Sequence, residues 1–164
     1  PEEALNRLVP AYQTALLRLC FAYLHDRALA EDAVQETFLK AYRNIAHFRG
    51  DASEKNWLMK IAVNTCRDLR RSGWYRHVNR AVTPEMLPEP SAQASGRDRE
   101  ITAEVMRLPV RLREVVLLYY FQDMSTVAVA EALGITQQAV SGRLLRARAK
   151  LRTVLEGRPS DERT

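Results

Sequence analysis

The stretch STVAVAEALGITQQAVSGRLLRARAKL, Ser125 to Leu151, contains a short Ala-rich segment, one glycine, and a longer segment that ends in closely spaced arginines. Ser125 and Thr136 each stand where a hydroxyl side chain can cap the start of a helix. Gly134 separates the two segments and can supply the positive φ of a tight turn. We therefore predict a helix-turn-helix, the motif that places its second helix in the major groove of DNA.

The second helix of this motif is predicted to have one buried and one exposed face. Val140, Leu144, Ala147 and Leu151 repeat at helical spacing and form the buried face. On the other face, short and amide side chains near the beginning can reach base edges, whereas later cations meet phosphates. A plain helical hairpin is the alternative. The residues that we expect to contact duplex DNA are Gln137, Gln138, Ser141, Gly142, Arg143, Leu145, Arg146 and Arg148.

The composition is that of a globular, helix-rich chain. Of 164 residues, 46% are hydrophobic and 27% charged, and only six are glycine. The net charge of +5 is unevenly spread: residues 1–50 carry six basic and six acidic side chains, whereas residues 140–152 carry five basic and no acidic ones. Such a basic stretch favours a nucleic acid, a membrane surface or an acidic protein as the partner.

A linker divides the chain into two parts. Residues 83–99, TPEMLPEPSAQASGRDR, hold three prolines, two serines and one glycine without sustained periodicity. We predict an all-α fold with two small helical domains, residues 1–80 and 100–157. A flexible linker at residues 81–99 joins them, and residues 158–164 form a tail.

Hydrophobic periodicity predicts three helices in the first part and a core helix in the second. Residues 115–121 of the second part are too apolar to lie exposed. The third helix of the first part extends from about Glu54 to Arg71. The apolar positions of the first two helices are Leu5, Leu8, Val9, Tyr12, Leu16, Leu19 and Tyr23, and then Val34, Phe38, Ala41, Tyr42 and Ile45.

The third helix also has a cationic ridge. Lys60, Asn64, Arg67 and Arg71 stand at i, i+4, i+7 and i+11. A solvated helix face is the simple interpretation of this pattern. Single-stranded nucleic acid is the other, because aromatic side chains can stack on bases while cations pair with phosphates. The residues that extend the ridge are Arg70, Trp74, Tyr75, Arg76 and Arg80.

The second helix begins with a different kind of surface. Glu31, Asp32, Gln35 and Glu36 place acids in what we predict to be its first two turns. Acids there complement the helix dipole, which explains the pattern without any partner. A docking face for a basic protein is the alternative.

Several functional classes find no support in the sequence. Cys20 and Cys66 lack metal-ligand or disulfide-framework spacing and are expected to be ordinary buried residues. We see no Gly-rich phosphate loop and no catalytic constellation, so we expect neither an enzyme nor a cofactor or metal. The acidic N-terminal segment and the absence of a run of about 20 apolar residues indicate a cytoplasmic protein without membrane insertion.

Two long stretches resemble a known family. AEDAVQETFLKAYRNIAHFRGDASEKNWLMKIAVNTCRDLRR, residues 30–71, and LPVRLREVVLLYYFQDMSTVAVAEALGITQQAVSGRLLRARAKL, residues 108–151, resemble the extracytoplasmic-function (ECF) group of bacterial RNA polymerase sigma factors. The two matches occur in the order found in that family, with the linker between them.

The resemblance implies a function for each part. In the family, the N-terminal domain binds the beta-prime clamp helices of core RNA polymerase and melts the minus-10 promoter element. The C-terminal domain binds the minus-35 element as a duplex. The implied partners are core RNA polymerase (beta-prime clamp and beta subunits), promoter DNA and an inhibitory anti-sigma factor.

The resemblance also assigns residues to these functions. The residues that it assigns to polymerase docking are Glu31, Asp32, Gln35 and Glu36. Those that it assigns to the minus-10 element are Arg49, Gly50, Asp51, Ser53, Lys60, Asn64, Arg67 and Arg71. The minus-35 contacts are assigned to the exposed face of the second helix of the helix-turn-helix.

Two departures from the family and one rival function are also apparent. Ser141 and Gly142 replace a basic and a small hydroxyl residue, which alters the base contacts expected there. Ala128 replaces an acid, so no capping box closes on Ser125. The rival is a stand-alone helix-turn-helix regulator, which would bind duplex operators by itself, usually as a dimer.

Overall fold

A computed structural model describes residues 1–50, 53–72 and 96–156 of the chain, with side chains at residues 100–153 of the last range. All regular elements in these ranges are helical, as the sequence predicts. The N-terminal part contains α1 (Glu2–Leu24), α2 (Arg27–Asn44), a 3₁₀ turn (Ile45–His47) and α3 (Glu54–Arg70). The C-terminal part contains α4 (Gly96–Arg107), α5 (Val110–Val116), a π-helical turn (Leu117–Phe121), α6 (Thr126–Leu133) and α7 (Gln137–Glu156).

The three N-terminal helices pack as a small bundle in which α1 contacts both α2 and α3. Their buried side chains follow the predicted spacing, and Leu16, Phe38 and Leu58 lie in the common core. The prediction for Tyr42 is wrong. The sequence places this residue on the buried face of α2, but its side chain is 41% exposed. The reason is geometric: Ala41 fills the core position, and the next residue points about 100° away around the helix.

Short helix caps set where the N-terminal helices begin and end. The backbone N–H of Leu29 donates to the Asp26 carboxylate at 2.9 Å at the start of α2. Ser53 caps α3 in the same way, accepting from the N–H of Asn56 at 3.0 Å. His25 ends α1 in the left-handed conformation, with φ 58°. The two side-chain caps satisfy N–H groups that a helix start leaves without partners.

The predicted core helix at residues 115–121 is only half right. Val115, Val116, Leu117 and Leu118 are buried, but Tyr120 and Phe121 are 47% and 41% exposed. The chain changes from α-helix to a π-helical turn at Leu117, which alters the rotation of the following residues and takes them off the buried face. The apolar run therefore ends on the surface.

The helix-turn-helix is formed as the sequence predicts. Ser125 accepts a hydrogen bond from the N–H of Ala128 at 3.0 Å, so the cap of α6 forms without a capping box. Gly134 ends α6 with φ 68°. Thr136 then accepts from the N–H of Ala139 at 3.0 Å at the start of α7.

The predicted linker lies largely outside the described residues. Its last four residues, 96–99, belong to the beginning of α4, so the structure starts this helix before the predicted boundary at residue 100. The tail at residues 158–164 and the predicted aromatic and cationic residues Trp74, Tyr75, Arg76 and Arg80 also lie outside the described residues.

Candidate polymerase and nucleic-acid interface

The exposed face of α7 carries a group of predicted DNA-contacting residues. Val140, Leu144 and Ala147 are buried against the rest of the C-terminal part, and Leu151 is partly buried. This orientation leaves Leu145 67% exposed. The other exposed members of this group are Gln137, Gln138, Ser141, Arg146 and Arg148.

Three predicted DNA-contacting residues of α7 have partners within the protein. Gln137 donates from Nε2 to Oγ1 of Thr126 at 2.8 Å, which ties α7 to α6. Arg148 donates to the Tyr120 hydroxyl, and its guanidinium lies 5.5 Å from the centroid of the Tyr120 ring. Arg143 turns inward to Glu114 at 3.3 Å. Gly142 is half-buried.

The cationic ridge of α3 is present but not uniform. Lys60, Asn64 and Arg71 are exposed, whereas the Arg67 side chain is only 25% exposed. Arg67 donates from Nη1 to the carbonyl oxygen of Leu133 at 2.9 Å and from Nη2 to Glu114 at 3.1 Å. The structure thus separates Arg67 from the other three ridge residues by giving it partners in the C-terminal part.

The loop before α3 is bordered by two aromatic rings that sequence reasoning missed. Phe48 and Trp57 lie with their ring centroids 4.9 Å apart. Arg49 and Gly50 are exposed between them in the chain, and Gly50 has φ 78°. Ser53 is exposed and also caps α3, while Asp51 lies outside the described residues. An aromatic residue on each side of the loop was the signal available in the sequence.

The acidic face of α2 is not explained by helix capping. Because α2 begins at Arg27, its first turn contains no acid, and Asp26 provides the cap. The effect of the dipole falls off within that turn. Asp32 and Gln35 are exposed and Glu36 is partly exposed. Glu31 is also exposed and pairs with Arg27 at 3.1 Å.

Two exposed apolar residues continue the acidic face along α2. Leu39 is 48% exposed and Tyr42 is 41% exposed. They follow Asp32 and Gln35 by seven residues each, which puts them on the same side of the helix. Acids with adjacent apolar side chains form a surface suited to a basic protein rather than to nucleic acid, whose phosphates acids repel.

A buried polar network connects the two parts, and sequence reasoning missed it. The Tyr23 hydroxyl of α1 donates to Oε2 of Glu114 at 2.7 Å. Glu114, only 3% exposed, also receives Arg67 and Arg143. Burial and the adjacent charge of Glu114 raise the pKa of Tyr23 well above its usual value. The signal for this network in the sequence was two adjacent charged residues, Arg113 and Glu114, directly before the apolar run at residues 115–121.

Two other kinds of site are absent from the part of the chain that the structure describes. No three His, Cys, Asp or Glu side chains there are grouped so that they could hold a metal ion. None of the helices described is both long and apolar enough to cross a membrane. Cys20 and Cys66 are free and buried, as predicted.

Two family models match the chain. Sigma-70 region 2 matches residues 8–76, and Sigma-70, region 4 matches residues 98–151. Together they span most of the chain and correspond to its two helical parts. The chain belongs to the sigma-70 family of RNA polymerase sigma factors. The resemblance to the ECF group is confirmed, and the chain is an ECF sigma factor. As a member of this family it acts in promoter-specific initiation of transcription.

Relatives from several bacteria are similar over nearly the whole chain. A probable RNA polymerase sigma factor, RfaY of Xanthomonas campestris, is 36% identical over 94% of this chain, which spans 41% of that relative. The sigma factor NccH of Alcaligenes xylosoxydans is 32% identical, with 93% of this chain and 87% of the relative covered. The ECF sigma factor SigM of Mycobacterium tuberculosis is also 32% identical, with 93% and 77% covered.

Solved structures share the fold of this chain. CnrH, solved in complex with the cytosolic domain of CnrY, superimposes with a TM-score of 0.70 at 28% identity, covering 97% of this chain and 92% of CnrH. RpoE of Bartonella quintana, solved with the anti-sigma factor NepR, has a TM-score of 0.77 at 21% identity, covering 94% of this chain and 98% of RpoE. The second similarity bears on the fold alone.

Proposed function

We propose that the two parts of this ECF sigma factor recognise two different forms of promoter DNA. Residues 1–80 dock on core RNA polymerase and bind the separated strands of the minus-10 element. Residues 100–157 bind the minus-35 element as a duplex, and residues 81–99 connect the two. The observation that carries the proposal is the exposed face of α7, presented by a capped and glycine-terminated helix-turn-helix.

The docking surface for polymerase is the acidic face of α2, formed by Glu31, Asp32, Gln35 and Glu36. Its support is that these side chains are exposed or partly exposed while a separate residue, Asp26, caps the helix. Leu39 and Tyr42 extend the same face with apolar area. A basic, partly apolar surface on the beta-prime clamp would complement it, and charge complementarity would speed the encounter.

Binding of the minus-10 element uses the loop before α3 and the ridge along that helix. Unstacking a base costs a few kcal/mol, which stacking and phosphate contacts must recover. The Phe48–Trp57 pair beside the loop offers an aromatic surface, and Lys60 and Arg71 supply exposed charge. The residues assigned are Arg49, Gly50, Asp51, Ser53, Lys60, Asn64, Arg67 and Arg71.

Binding of the minus-35 element uses the exposed face of α7. Sequence specificity comes from Gln138, Ser141, Leu145 and Arg146. Amide and guanidinium groups can form hydrogen bonds with base edges, and an apolar side chain can contact a thymine methyl group. Arg143 and Arg148 contribute mainly to affinity through phosphates. Gln137 positions α7 through Thr126, and Gly142 allows close approach of the backbone.

An anti-sigma factor holds the protein inactive until a signal releases it. The support is the fold that this chain shares with RpoE of Bartonella quintana, which was solved with the anti-sigma factor NepR, and with CnrH, which was solved with the cytosolic domain of CnrY. We further propose that the protein acts in the cytoplasm beside RNA polymerase, with no catalytic activity, cofactor or membrane insertion of its own.

In vitro transcription tests the proposal. Core RNA polymerase with this protein should start defined transcripts on a fragmented genomic template, whereas either component alone should not. The rival function, a stand-alone regulator, is separated by titrating the free protein on duplex DNA. Tight, sequence-specific binding without polymerase, combined with no transcript in its presence, would favour the regulator.

A further inference from the structure

A cavity of about 460 Å³ lies between the first helix of the chain and the C-terminal part. On the α1 side it is lined by small side chains, among them Ala11, Ala15 and Ala22, which stand at i, i+4 and i+11 and so share one side of the helix. The C-terminal part contributes larger apolar residues, Val105 of α4 and Leu117 of the π-helical turn. The volume lies within the range of about 300–1,000 Å³ that is typical of small-molecule sites.

A buried amide lines the same cavity. Gln122 directly follows the π-helical turn and is only 8% exposed. Among the residues that the structure describes, none forms a hydrogen bond with its side chain. Leaving a buried polar group without a partner costs free energy, and such groups are rare in native proteins. A ligand with a polar atom in this cavity would supply the partner.

Two cations give the cavity a positive charge. Arg18 of α1 and Lys55 of α3 line it and are partly buried, and no acid is found among its described lining residues. Glu54, the residue before Lys55, is bound to Arg7 at 2.6 Å. Neither Arg18 nor Lys55 forms an ion pair with another described residue. Positive charges in a partly apolar setting attract an anion more strongly than they would in water.

These features together define the chemistry of the ligand. Apolar walls with a few polar groups are typical of sites for small molecules that have an apolar body. A carboxylate can accept hydrogen bonds from a guanidinium, an ammonium and an amide. A phosphate ester with two charges fits less well, because its desolvation against apolar walls costs more than that of a single charge. The combination therefore favours a carboxylate with an alkyl or aryl body.

We propose that this cavity is a binding site for a free amphipathic carboxylate. Arg18 and Lys55 bind the carboxylate group, and the Gln122 amide forms a hydrogen bond with a polar atom of the ligand. The apolar body packs against Val105 and Leu117. None of these residues is assigned to polymerase or to promoter DNA, so the site adds to the proposed function and is tested independently of it.

Three probes with the same alkyl chain test the chemistry of the head group. Octanoate, 1-octanol and octylammonium are titrated into the full-length chain by isothermal calorimetry. We expect one octanoate to bind per chain, 1-octanol to bind at least about tenfold more weakly, and octylammonium not to bind, because only the anion gains charge-assisted hydrogen bonds. Equal binding of all three probes, or no binding of octanoate, overturns the proposal.

Removing either lining cation tests the assignment of the carboxylate group. Arg18→Met and Lys55→Met keep much of the length of each side chain and remove its charge. Each should weaken octanoate binding by about tenfold or more. Arg43→Met is the matched control, because Arg43 is exposed on α2 and does not line the cavity. If Arg43→Met weakens binding as much as the other two variants do, net charge explains the binding and the site is refuted.

Filling the cavity tests its location. Ala15→Leu adds apolar bulk to the α1 side and should abolish octanoate binding, whereas Ala28→Leu, at an exposed position of α2 outside the cavity, should not change it. Circular dichroism checks that both variants keep their helices. If Ala15→Leu unfolds the chain, Gln122→Leu replaces it: this variant removes the amide and should weaken binding by about threefold or more. Unchanged octanoate binding in the helical variant that is used shows that the ligand binds elsewhere.

Discussion

Arg67 and Leu133 connect the third helix of the chain to the turn of the helix-turn-helix. Nη1 of Arg67 donates to the carbonyl oxygen of Leu133 at 2.9 Å, although 66 residues separate them. Leu133 is the last residue of α6, and Gly134 follows it in the left-handed conformation. The turn that sets the direction of α7 therefore depends on Gly134, which lies within it, and on Arg67, which is distant in the sequence.

The local contribution predicts a cost for Gly134→Ala. The φ of Gly134 is 68°, and no atom lies within 4 Å of the position that a Cβ would take, so the substitution meets backbone strain but no steric clash. Placing a non-glycine residue in this region costs roughly 1–2 kcal/mol. We expect the free energy of unfolding to fall by about that amount, measured by urea denaturation with an unchanged slope.

Gly142→Ala is the matched control for this measurement. Gly142 lies inside α7 with ordinary helical backbone, and it too has no atom within 4 Å of the position of a Cβ. Alanine in a helix interior is more favourable than glycine by roughly 0.5–1 kcal/mol. The control should therefore be stabilised. If both variants shift the unfolding midpoint in the same direction, the left-handed conformation of Gly134 does not account for the effect of the substitution on stability.

The acidic face of α2 predicts a loss of polymerase binding on charge reversal. Asp32→Lys combined with Glu36→Lys places cations where a basic partner is proposed, and like charges at an interface cost several kcal/mol. Co-purification with core RNA polymerase should be lost, and affinity should fall by about tenfold or more. Helical content should remain, because both side chains are exposed or partly exposed and Asp26 still caps the helix.

A second charge reversal controls for net charge alone. Glu2→Lys combined with Glu3→Lys makes the same change in net charge on exposed residues at the start of α1. Polymerase should still bind this variant. Equal binding by both double variants would show that polymerase uses another surface.

Local features of the fold follow from the sequence, whereas its long-range contacts do not. Ser125 and Thr136 cap helices as predicted, since each bond spans three residues. The exposure of Tyr120 depends on a π-helical turn, and hydrophobic periodicity assumes an α-helix throughout. Glu114 meets Tyr23 across 91 residues of chain, a pairing that no local pattern contains.

The candidate surfaces also contain some side-chain positions that follow from the sequence and some that do not. The outward positions of Gln138 and Arg146 follow from the spacing of the buried stripe in α7. The inward turn of Arg143 does not, because its direction is decided by a buried carboxylate on α5. Sequence reasoning thus located the exposed faces of α3 and α7 but not the side chains withdrawn from them.

The buried thiols predict resistance to alkylation. A hydrogen bond with Cys20, together with burial, raises the pKa of Cys66 well above its ordinary value. Only the thiolate reacts with alkylating reagents, so a higher pKa leaves less of the reactive form at any pH below it. Mass spectrometry at about pH 8, near the ordinary thiol pKa, should detect no modification of either native cysteine and complete modification in urea. Rapid labelling of the native protein would contradict the buried pair.

Recognition of the minus-35 element provides a residue-level prediction for α7. Arg146 is exposed on the face that carries Gln138 and Leu145. A bidentate contact with a base contributes about 1–3 kcal/mol of discrimination. Arg146→Ala should weaken binding to the preferred element by that amount and reduce the preference over altered sequences, measured by fluorescence anisotropy on matched duplexes.

Arg152→Ala separates base recognition from simple charge. Arg152 is also exposed on α7, beyond the residues assigned to base contacts. A phosphate contact there would weaken binding by a similar factor on every sequence and reduce the salt dependence by about one counterion. An equal loss on all sequences for Arg146→Ala would reassign that residue to phosphate. Sequence choice would then rest on the remaining exposed side chains of α7.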